Sequence, residues 1–183
     1  LKQLQEFLKW ANELGMNART QARVISGIKA FYKYLLLEDL INNDPTTLLE
    51  TPKIGRKLPE TLSPDEINEL IAAIDLSKPE GERNKAMLET LYGSGLRVSE
   101  LTSLKLSNLY FDDGFLKITG KGDKERLVPI GKVAIKQIEI YKEQVRCHLS
   151  IKKEFEDIVF LNRRGSKLTR VMIFTIVKKL AEK

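Results

Sequence analysis

Cysteine and histidine are nearly absent from this sequence, which contains one of each, Cys147 and His148. A single cysteine excludes a disulfide-stabilised scaffold and is typical of a reducing cytoplasm. Cys147 also has no cysteine or histidine partner at the spacing of a zinc ligand set, so we expect no zinc site and no other metal centre.

Long apolar runs are lacking as well. No run reaches the roughly 18 residues that are needed to cross a bilayer, so we expect no membrane-spanning helix. Internal repeats and low-complexity tracts are also absent. A chain of this length is then expected to form roughly one or two globular domains, with enough material for a core.

Acidic residues are in the minority. The chain has 25 aspartates and glutamates against 31 lysines and arginines, which gives a formal net charge of +6. Such a balance makes attraction to polyanions plausible, but many basic proteins bind no DNA specifically. The charge therefore agrees with a nucleic-acid partner without establishing one.

The most informative segment begins at Gly93 and reads Gly-Ser-Gly-Leu-Arg-Val-Ser-Glu-Leu. Gly95 allows one helix to stop and the chain to turn, which places Arg97 in the first turn of a new helix. At about 100° per residue, Arg97 shares a side of that helix with Leu101 and Leu104. We therefore expect its guanidinium to point along an apolar face.

An arginine in that position needs an anion. Its fork of donors fits carboxylate or phosphate oxygens, and Glu100 is close enough in sequence to orient Arg97. This pattern is typical of one half of a phosphate-handling active site.

A second motif predicts a lysine at the tip of a β-hairpin. Polar and apolar residues alternate from Phe115 to Thr119, and apolar character returns at Leu127, so residues 120–123 form the turn. Lys121 then projects from a loop between two glycines, where it could donate a proton or a charge to an oxyanion. The alternative is a solvated basic turn, since most exposed lysines only solvate a surface.

Together these motifs, GSGLRVSEL and GKGDKERLVPI, resemble the tyrosine recombinase (phage integrase) family and are most similar to its bacterial Xer-type site-specific recombinases. The similarity runs collinearly from about Leu4 to the C-terminus. It implies that Arg97 stabilises the charge on a scissile DNA phosphate, that Lys121 protonates the departing 5′ oxygen, and that Glu100 supports the catalytic arginine.

The resemblance also implies a mechanism and partners. A tyrosine would attack the DNA phosphate, which leaves a 3′-phosphotyrosyl link and a free 5′ hydroxyl, and the link would later be reversed to rejoin the strand. Neither a metal nor a nucleotide cofactor is implied, because the covalent link conserves the bond energy. The implied partner is double-stranded DNA at a specific recombination site, bound by a homo- or hetero-tetramer in the cytoplasm at the nucleoid.

Several parts of the family pattern are not in this sequence. His-x-x-Arg, a following His or Trp, and the tyrosine nucleophile would come after Lys183, so we expect a fragment that is trimmed at both ends and cannot cleave DNA alone. His148 does not begin a His-x-x-Arg motif and is expected near a helix end. We interpret the tyrosines as packing or surface residues: Tyr32, Tyr34, Tyr92, Tyr110 and Tyr141.

The predicted fold is mainly α-helical with a small antiparallel β-meander. Residues 1–51 are expected to form part of a helical core-binding domain, residues 52–60 a basic linker with Lys53, Arg56 and Lys57, and residues 61–183 the first part of a catalytic domain. The predicted helices are Leu4–Leu14, Ala18–Leu37, a short one opened by Asp44 and Pro45, one capped by Ser63 and Glu66, Arg83–Tyr92, Lys132–His148, and one from Thr169. The predicted strands are Leu109–Phe111, Phe115–Thr119 and Glu125–Pro129.

Two surfaces are candidates for DNA contact. On the long helix from Ala18, an apolar side with Val24, Ile28 and Phe31 opposes a basic side whose small residues would let the helix sit close to a groove. A basic loop ahead of the last helix could cradle a phosphate. Both could instead be ordinary solvated surfaces. The predicted DNA-contacting residues are Arg19, Thr20, Arg23, Lys29, Lys33, Lys124, Arg126, Arg163, Arg164, Lys167 and Arg170.

The last helix has an unusually apolar surface, which we expect to pack against helices outside this sequence. Two other functions stay open beside chromosomal site-specific recombination. One is a non-catalytic DNA-binding protein on the same scaffold. The other is a mobile-element integrase or a resolvase of DNA ends that applies the same chemistry to another target.

Overall fold

The computed structural model describes residues 2–55, 58, 60–120 and 122–182. The chain forms two compact units, Leu1–Glu60 and Thr61–Lys183. The fold is mainly helical with one small antiparallel sheet, as the sequence predicts. Within the described ranges, no helix combines the length and the apolar character that crossing a membrane would require.

The first unit contains α1 (Lys2–Glu13) and α2 (Ala18–Leu37), so the predicted bounds of the long helix are confirmed. Asn17 caps α2 by accepting a hydrogen bond from the backbone N–H of Arg19 at 2.9 Å. The buried side chains Ala11, Ala22 and Ile25 are mostly small, which suits the close packing of α1 on α2.

The apolar stripe of α2 differs from the prediction at Phe31. The buried residues are Ala22 and Ile25, whereas Phe31 is 54% exposed and its ring lies edge-on against Tyr32. Val24 and Ile28 are half-buried. The prediction was wrong here because a helical projection gives the direction of a stripe, while the neighbouring helix decides how far along it burial extends.

The short helix predicted at Asp44 and Pro45 was also wrong, since the chain forms a turn there. Asp44 does behave as a cap: its Oδ1 accepts from the N–H and from the hydroxyl of Thr46, at 2.8 and 2.6 Å, and these bonds lower the pKa of its carboxyl. A hydrogen bond from the N–H of Leu49 to the carbonyl oxygen of Thr46 closes the turn. A cap starts a helix, but a helix needs further turns to become stable.

The second unit contains α3 (Pro64–Ala72), α4 (Pro79–Ser94), α5 (Val98–Thr102), α6 (Lys132–Gln144) and α7 (Arg170–Ala181). The capping box at α3 is confirmed, with Glu66 N–H donating to Ser63 Oγ at 3.2 Å and Ser63 N–H donating to the Glu66 carboxylate at 2.6 Å. Helix α4 begins before Arg83, at Pro79, because proline is favoured at the first helical position. Helix α6 ends at Gln144, and a 3-10 turn over Arg146–His148 follows it.

The sheet has strands β1 (Leu109–Tyr110), β2 (Phe115–Thr119) and β3 (Glu125–Pro129) in that order, all antiparallel. Strand β1 ends one residue earlier than predicted, and the other two agree with the prediction. The sheet packs into a core built around α4 and α6. The largest fully buried side chains of this core include Tyr141, Phe160, Met87, Leu101, Leu104, Leu116 and Ile138.

Helix α7 exposes apolar side chains as the sequence predicts. Val171 and Phe174 are 72% and 68% exposed, while Ile173 is buried against the core. That the exposed side packs against further helices stays a prediction.

Two glycines of α4 provide a test of this packing. A Cβ on Gly81 would lie 2.3 Å from the carbonyl oxygen of Asp75 and 2.9 Å from Leu76 Cα, whereas a Cβ on Gly93 would have no neighbour within 4 Å. We expect Gly81→Ala to lower the free energy of unfolding by about 1 to 3 kcal/mol through overpacking. Gly93→Ala should raise it by about 0.5 to 1 kcal/mol, because alanine favours the helix. Urea unfolding of both variants checks this, and a Gly81→Ala variant at least as stable as the wild type would contradict the packing described for Gly81.

Candidate active site

Arg97 lies where α4 gives way to α5. Gly95 ends α4 in the left-handed conformation, at φ +57°. Arg97 then has an extended backbone and is the N-cap residue of α5, one position before the helix begins. The predicted placement on an apolar helix side was therefore wrong: Leu101 and Leu104 are buried, but the side chain of Arg97 is 74% exposed.

Glu100 fixes Arg97 from the first turn of α5. Its Oε2 accepts the backbone N–H of Arg97 at 2.8 Å, and its Oε1 accepts from Arg97 Nη1 at 2.9 Å. The side chain of Glu100 is only 5% exposed. Both contacts, one to the backbone of Arg97 and one to its guanidinium, agree with the prediction that Glu100 orients Arg97.

Arg126 completes this cluster from β3. Its Nη1 and Nη2 donate to Glu100 Oε1 and Oε2 at 2.8 and 2.9 Å, in a bidentate pair. Arg126 was predicted to contact DNA, and its pairing with Glu100 was missed. The signal was present in the alternation of the hairpin, since Arg126 pairs with the buried Ile118 and shares a face of β3 with the buried Val128. A cation on that face requires a carboxylate partner.

The cluster sets the charge of Glu100. The hydrogen bonds from Arg126 are the largest cause that lowers the pKa of the Glu100 carboxyl from 4.5 to about 2, with the backbone N–H and side chain of Arg97 acting in the same direction and burial opposing them. Glu100 in turn raises the pKa of Arg126. At neutral pH, two guanidiniums thus surround one carboxylate, and the exposed side of Arg97 is available to an anion.

Lys121 lies outside the described residues. Its neighbours form the connection predicted between β2 and β3, where Thr119 pairs with Glu125 and Gly120 N–H donates to Lys124 O at 2.8 Å. Gly122 and Asp123 both have positive φ, at 75° and 55°.

An open cleft of about 740 Å³ lies between α5 and the β2–β3 hairpin. Its lining includes Glu100, Lys105, Lys117, Gly120 and Asp123. The structure therefore brings Glu100 of the cluster and Gly120, the residue before Lys121, to the same cleft, although they are separated in sequence.

Four of the five DNA-contacting residues predicted on α2 are exposed. Arg19, Thr20, Arg23 and Lys33 are exposed, whereas Lys29 is half-buried and lowers the pKa of Asp44 electrostatically. The small residues between these cations, Ser26 and Ala30, are exposed as well. This side of α2 has the composition that a phosphate-contacting helix needs.

The basic loop before α7 is held in a defined shape. Asn162 Oδ1 accepts the N–H groups of Arg164 and Ser166 at 2.8 and 3.2 Å, and Gly165, at φ +68°, passes so close to Ser150 that a Cβ would collide with its carbonyl oxygen. The hairpin cation Lys124 is exposed. The four cations predicted in the loop region are exposed as well: Arg163, Arg164, Lys167 and Arg170.

Two details reduce what that loop can offer to a phosphate. Arg163 Nη2 pairs with Glu80 at 2.8 Å, so part of its charge is neutralised. Thr169 caps α7 and accepts the N–H of Met172 at 3.2 Å, so one amide of the helix start is already used.

Three further side chains that could take part in chemistry are Tyr141, Cys147 and His148, and their contacts are those of packing or surface residues. Tyr141 is fully buried, stacks on Phe160 and accepts the N–H of Leu161 at 3.2 Å, and burial raises the pKa of its hydroxyl. His148 ends a 3-10 turn, and the exposed Cys147 donates to Glu143 O at 2.7 Å. In the part of the chain that the structure describes, no three Cys, His, Asp or Glu residues cluster as metal ligands would.

The chain is similar to known proteins in both sequence and fold. Residues 60–183 match the family model described as "Phage integrase family". Over 176 residues the chain is 42% identical to tyrosine recombinase XerD of Listeria monocytogenes serotype 4b (strain F2365), and 41% identical to that of Staphylococcus aureus (strain N315). Both alignments cover 96% of this chain and 59% of the relative, so the chain spans about three fifths of the length of these relatives.

Solved structures share the fold. XerH recombinase bound to palindromic difH substrate, in a post-cleavage complex, superposes with a TM-score of 0.81 at 22% identity, over 98% of this chain and 54% of that one. A lambda integrase dimer (residues 75–356) bound to a COC′ core site gives 0.73 at 16% identity, over 99% and 63%.

The lowered pKa of Glu100 predicts a specific pH dependence of stability. A carboxyl whose pKa is lower in the folded state stabilises the fold fully above its unfolded value, and this contribution is lost as the pH falls toward the folded value. We expect the stability advantage of the wild-type chain over Glu100→Gln to shrink as the pH falls from 4.5 to about 2. Urea unfolding at several pH values measures it. Glu139→Gln, at an exposed glutamate of α6, is the matched control, and parallel pH profiles for wild type and Glu100→Gln would contradict the prediction.

Proposed function

Since the chain belongs to the phage integrase family, we propose that the whole protein is a site-specific recombinase that cleaves and rejoins DNA through a 3′-phosphotyrosine link. The observation that carries this proposal is an exposed arginine, Arg97, held by a buried carboxylate beside a cleft. A guanidinium that is fixed in place before the substrate arrives stabilises the charge that develops on a phosphoryl oxygen more effectively than a mobile one.

The proposed cleavage step divides the work between two parts of the site. The oxygen of a tyrosine that has lost its proton attacks the phosphorus and forms a bond to it, and the bond from phosphorus to the 5′ oxygen breaks. Arg97 stabilises the negative charge on the phosphoryl oxygens, and Lys121 donates the proton to the departing 5′ oxygen. In the reverse step, a 5′ hydroxyl attacks the phosphotyrosine and Lys121 takes the proton back.

The tyrosine and the His-x-x-Arg motif that this chemistry uses are expected after the region covered by this sequence. The activity is therefore proposed for the whole protein. We infer that residues 1–183 alone would bind DNA without cleaving it, because Tyr141 is buried in the core and none of the other four tyrosines belongs to the motif that the family resemblance assigns to the nucleophile.

We propose double-stranded DNA as the partner, contacted by the exposed cations of α2 and by the basic loop before α7. The similar XerH and lambda integrase structures contain DNA, and one lambda integrase structure is a tetramer bound to a Holliday junction. By analogy, four copies, identical or of two kinds, would act together on two DNA sites in the cytoplasm, at the nucleoid.

A Xer-type role is favoured over integration of a mobile element. The curated relatives named tyrosine recombinase XerD are 41–42% identical to this chain over 96% of its length. Chromosome partition is the process that we propose for it.

A suicide substrate tests the chemistry. We would express the complete open reading frame, select its preferred duplex from a random DNA pool, and place a nick so that the cleaved strand cannot be rejoined. We expect a covalent protein–DNA adduct on denaturing gels. Arg97→Ala should lower the rate of adduct formation by about 100-fold or more while DNA binding persists, because it removes a charge stabiliser of the transition state.

The matched control for this experiment is Lys136→Ala, at an exposed lysine of α6, which should react at the wild-type rate. DNA binding without any covalent adduct would refute the recombinase proposal. Such a result would favour a non-catalytic DNA-binding protein.

The salt dependence of DNA affinity tests the role of α2. Each phosphate contact contributes about 0.9 to the slope of log K against log salt concentration, so Arg19→Gln/Arg23→Gln should lower that slope by about 2. Lys9→Gln, on the exposed side of α1, is the control. An unchanged slope in the double variant would remove α2 from the proposed DNA interface.

A further inference from the structure

We propose that Arg126 is a positioning residue for the recombination chemistry: it locks Glu100 between two elements, and so couples the orientation of Arg97 to the folding of the hairpin that carries Lys121. The inference rests on the function proposed above and adds to it a residue that was expected only to touch DNA.

The first argument is the saturation of Glu100. A carboxylate offers about four lone-pair sites. On Glu100, Oε1 accepts from Arg97 Nη1 and Arg126 Nη1, and Oε2 accepts from Arg97 N–H and Arg126 Nη2, all within 2.8–2.9 Å. Arg126 supplies two of these four bonds. Without it, a carboxylate that is 5% exposed would lose half of its partners.

The second argument is where Arg126 comes from. Glu100 and Arg97 belong to the start of α5, but Arg126 is 26 residues after Glu100 and lies on β3. It pairs across the hairpin with Ile118, one residue before Thr119, and the connection that contains Lys121 follows directly. The bidentate pair therefore joins the end of this hairpin to the helix start that presents Arg97.

The third argument is electrostatic. The hydrogen bonds from Arg126 are the largest cause of the lowered pKa of Glu100, and burial acts against it. In a variant without the Arg126 guanidinium, the Glu100 pKa rises. A protonated Glu100 has no negative charge to attract Arg97. The acid limb of the activity profile, which is the pH range in which cleavage slows on acidification, should therefore lie at higher pH in this variant than in the wild type.

A role as a DNA phosphate contact makes a different prediction. A phosphate contact contributes to affinity, and its loss is overcome by saturating DNA. A positioning residue contributes to the rate with DNA already bound, because a misplaced arginine stabilises the transition state poorly.

The experiment uses the full-length protein and the nicked suicide substrate. Single-turnover cleavage is measured at saturating DNA from pH 4 to pH 9 for wild type, Arg126→Gln, Arg126→Lys and the control Lys136→Gln, with DNA affinity measured alongside. The pKa of Glu100 is measured by carbon-13 NMR in the wild type and in Arg126→Gln, whose spectra also report whether the variant is folded.

We expect Arg126→Gln to cleave about 10- to 100-fold more slowly at saturating DNA, with its acid limb and its Glu100 pKa shifted upward. Arg126→Lys should restore part of the rate, since it keeps the charge but cannot pair with both oxygens at once. A wild-type rate at saturating DNA in Arg126→Gln would overturn the proposal, whether or not its affinity falls.

Failure of the proposed function would look different. If the wild-type protein forms no adduct, the recombinase assignment fails while the NMR titration still reports on the pairing. An unchanged Glu100 pKa in a folded Arg126→Gln variant would overturn the positioning role independently of cleavage.

Discussion

The candidate site depends on one buried carboxylate. An ionised glutamate that is almost fully removed from water is costly unless charged donors surround it. Glu100 has them from three directions: the backbone at the start of its own helix, the Arg97 guanidinium, and Arg126 on the neighbouring strand. Because Arg97 and Arg126 belong to different parts of the fold, this carboxylate determines where the start of α5 and strand β3 meet.

The chain geometry before α5 explains why Arg97 remains accessible. Gly95 stops α4 in a left-handed conformation, and the buried Leu96 anchors the turn. Arg97 is therefore an N-cap residue with an extended backbone, and its side chain is 74% exposed while its guanidinium pairs with Glu100. The arrangement gives an exposed cation that is held by a carboxylate of the cleft lining.

The two units contribute differently to the proposed interaction with DNA. In the first unit, the exposed side of α2 presents cations separated by small residues, and its opposite side packs through Ala22 and Ile25. In the second unit, the cations before α7 lie on a loop whose shape is imposed by Asn162 and Gly165. Phosphate contacts from such surfaces position a protein on a duplex, while the cluster at Glu100 holds the arginine that we propose to act on the scissile phosphate.

Local pattern in the sequence determined the helices and strands, because caps, glycine stops and alternation act over a few residues. The bounds of α2, the capping box at Ser63 and the strands β2 and β3 follow from such signals. The roles proposed for Arg97 and Glu100 came from the resemblance of their motif. The tertiary structure alone decided which carboxylate pairs with Arg126 and how far Phe31 is exposed. Both depend on which surfaces meet across the fold: the alternation of the hairpin places Arg126 on the same face as Val128, but it does not say that the partner comes from α5, 26 residues earlier.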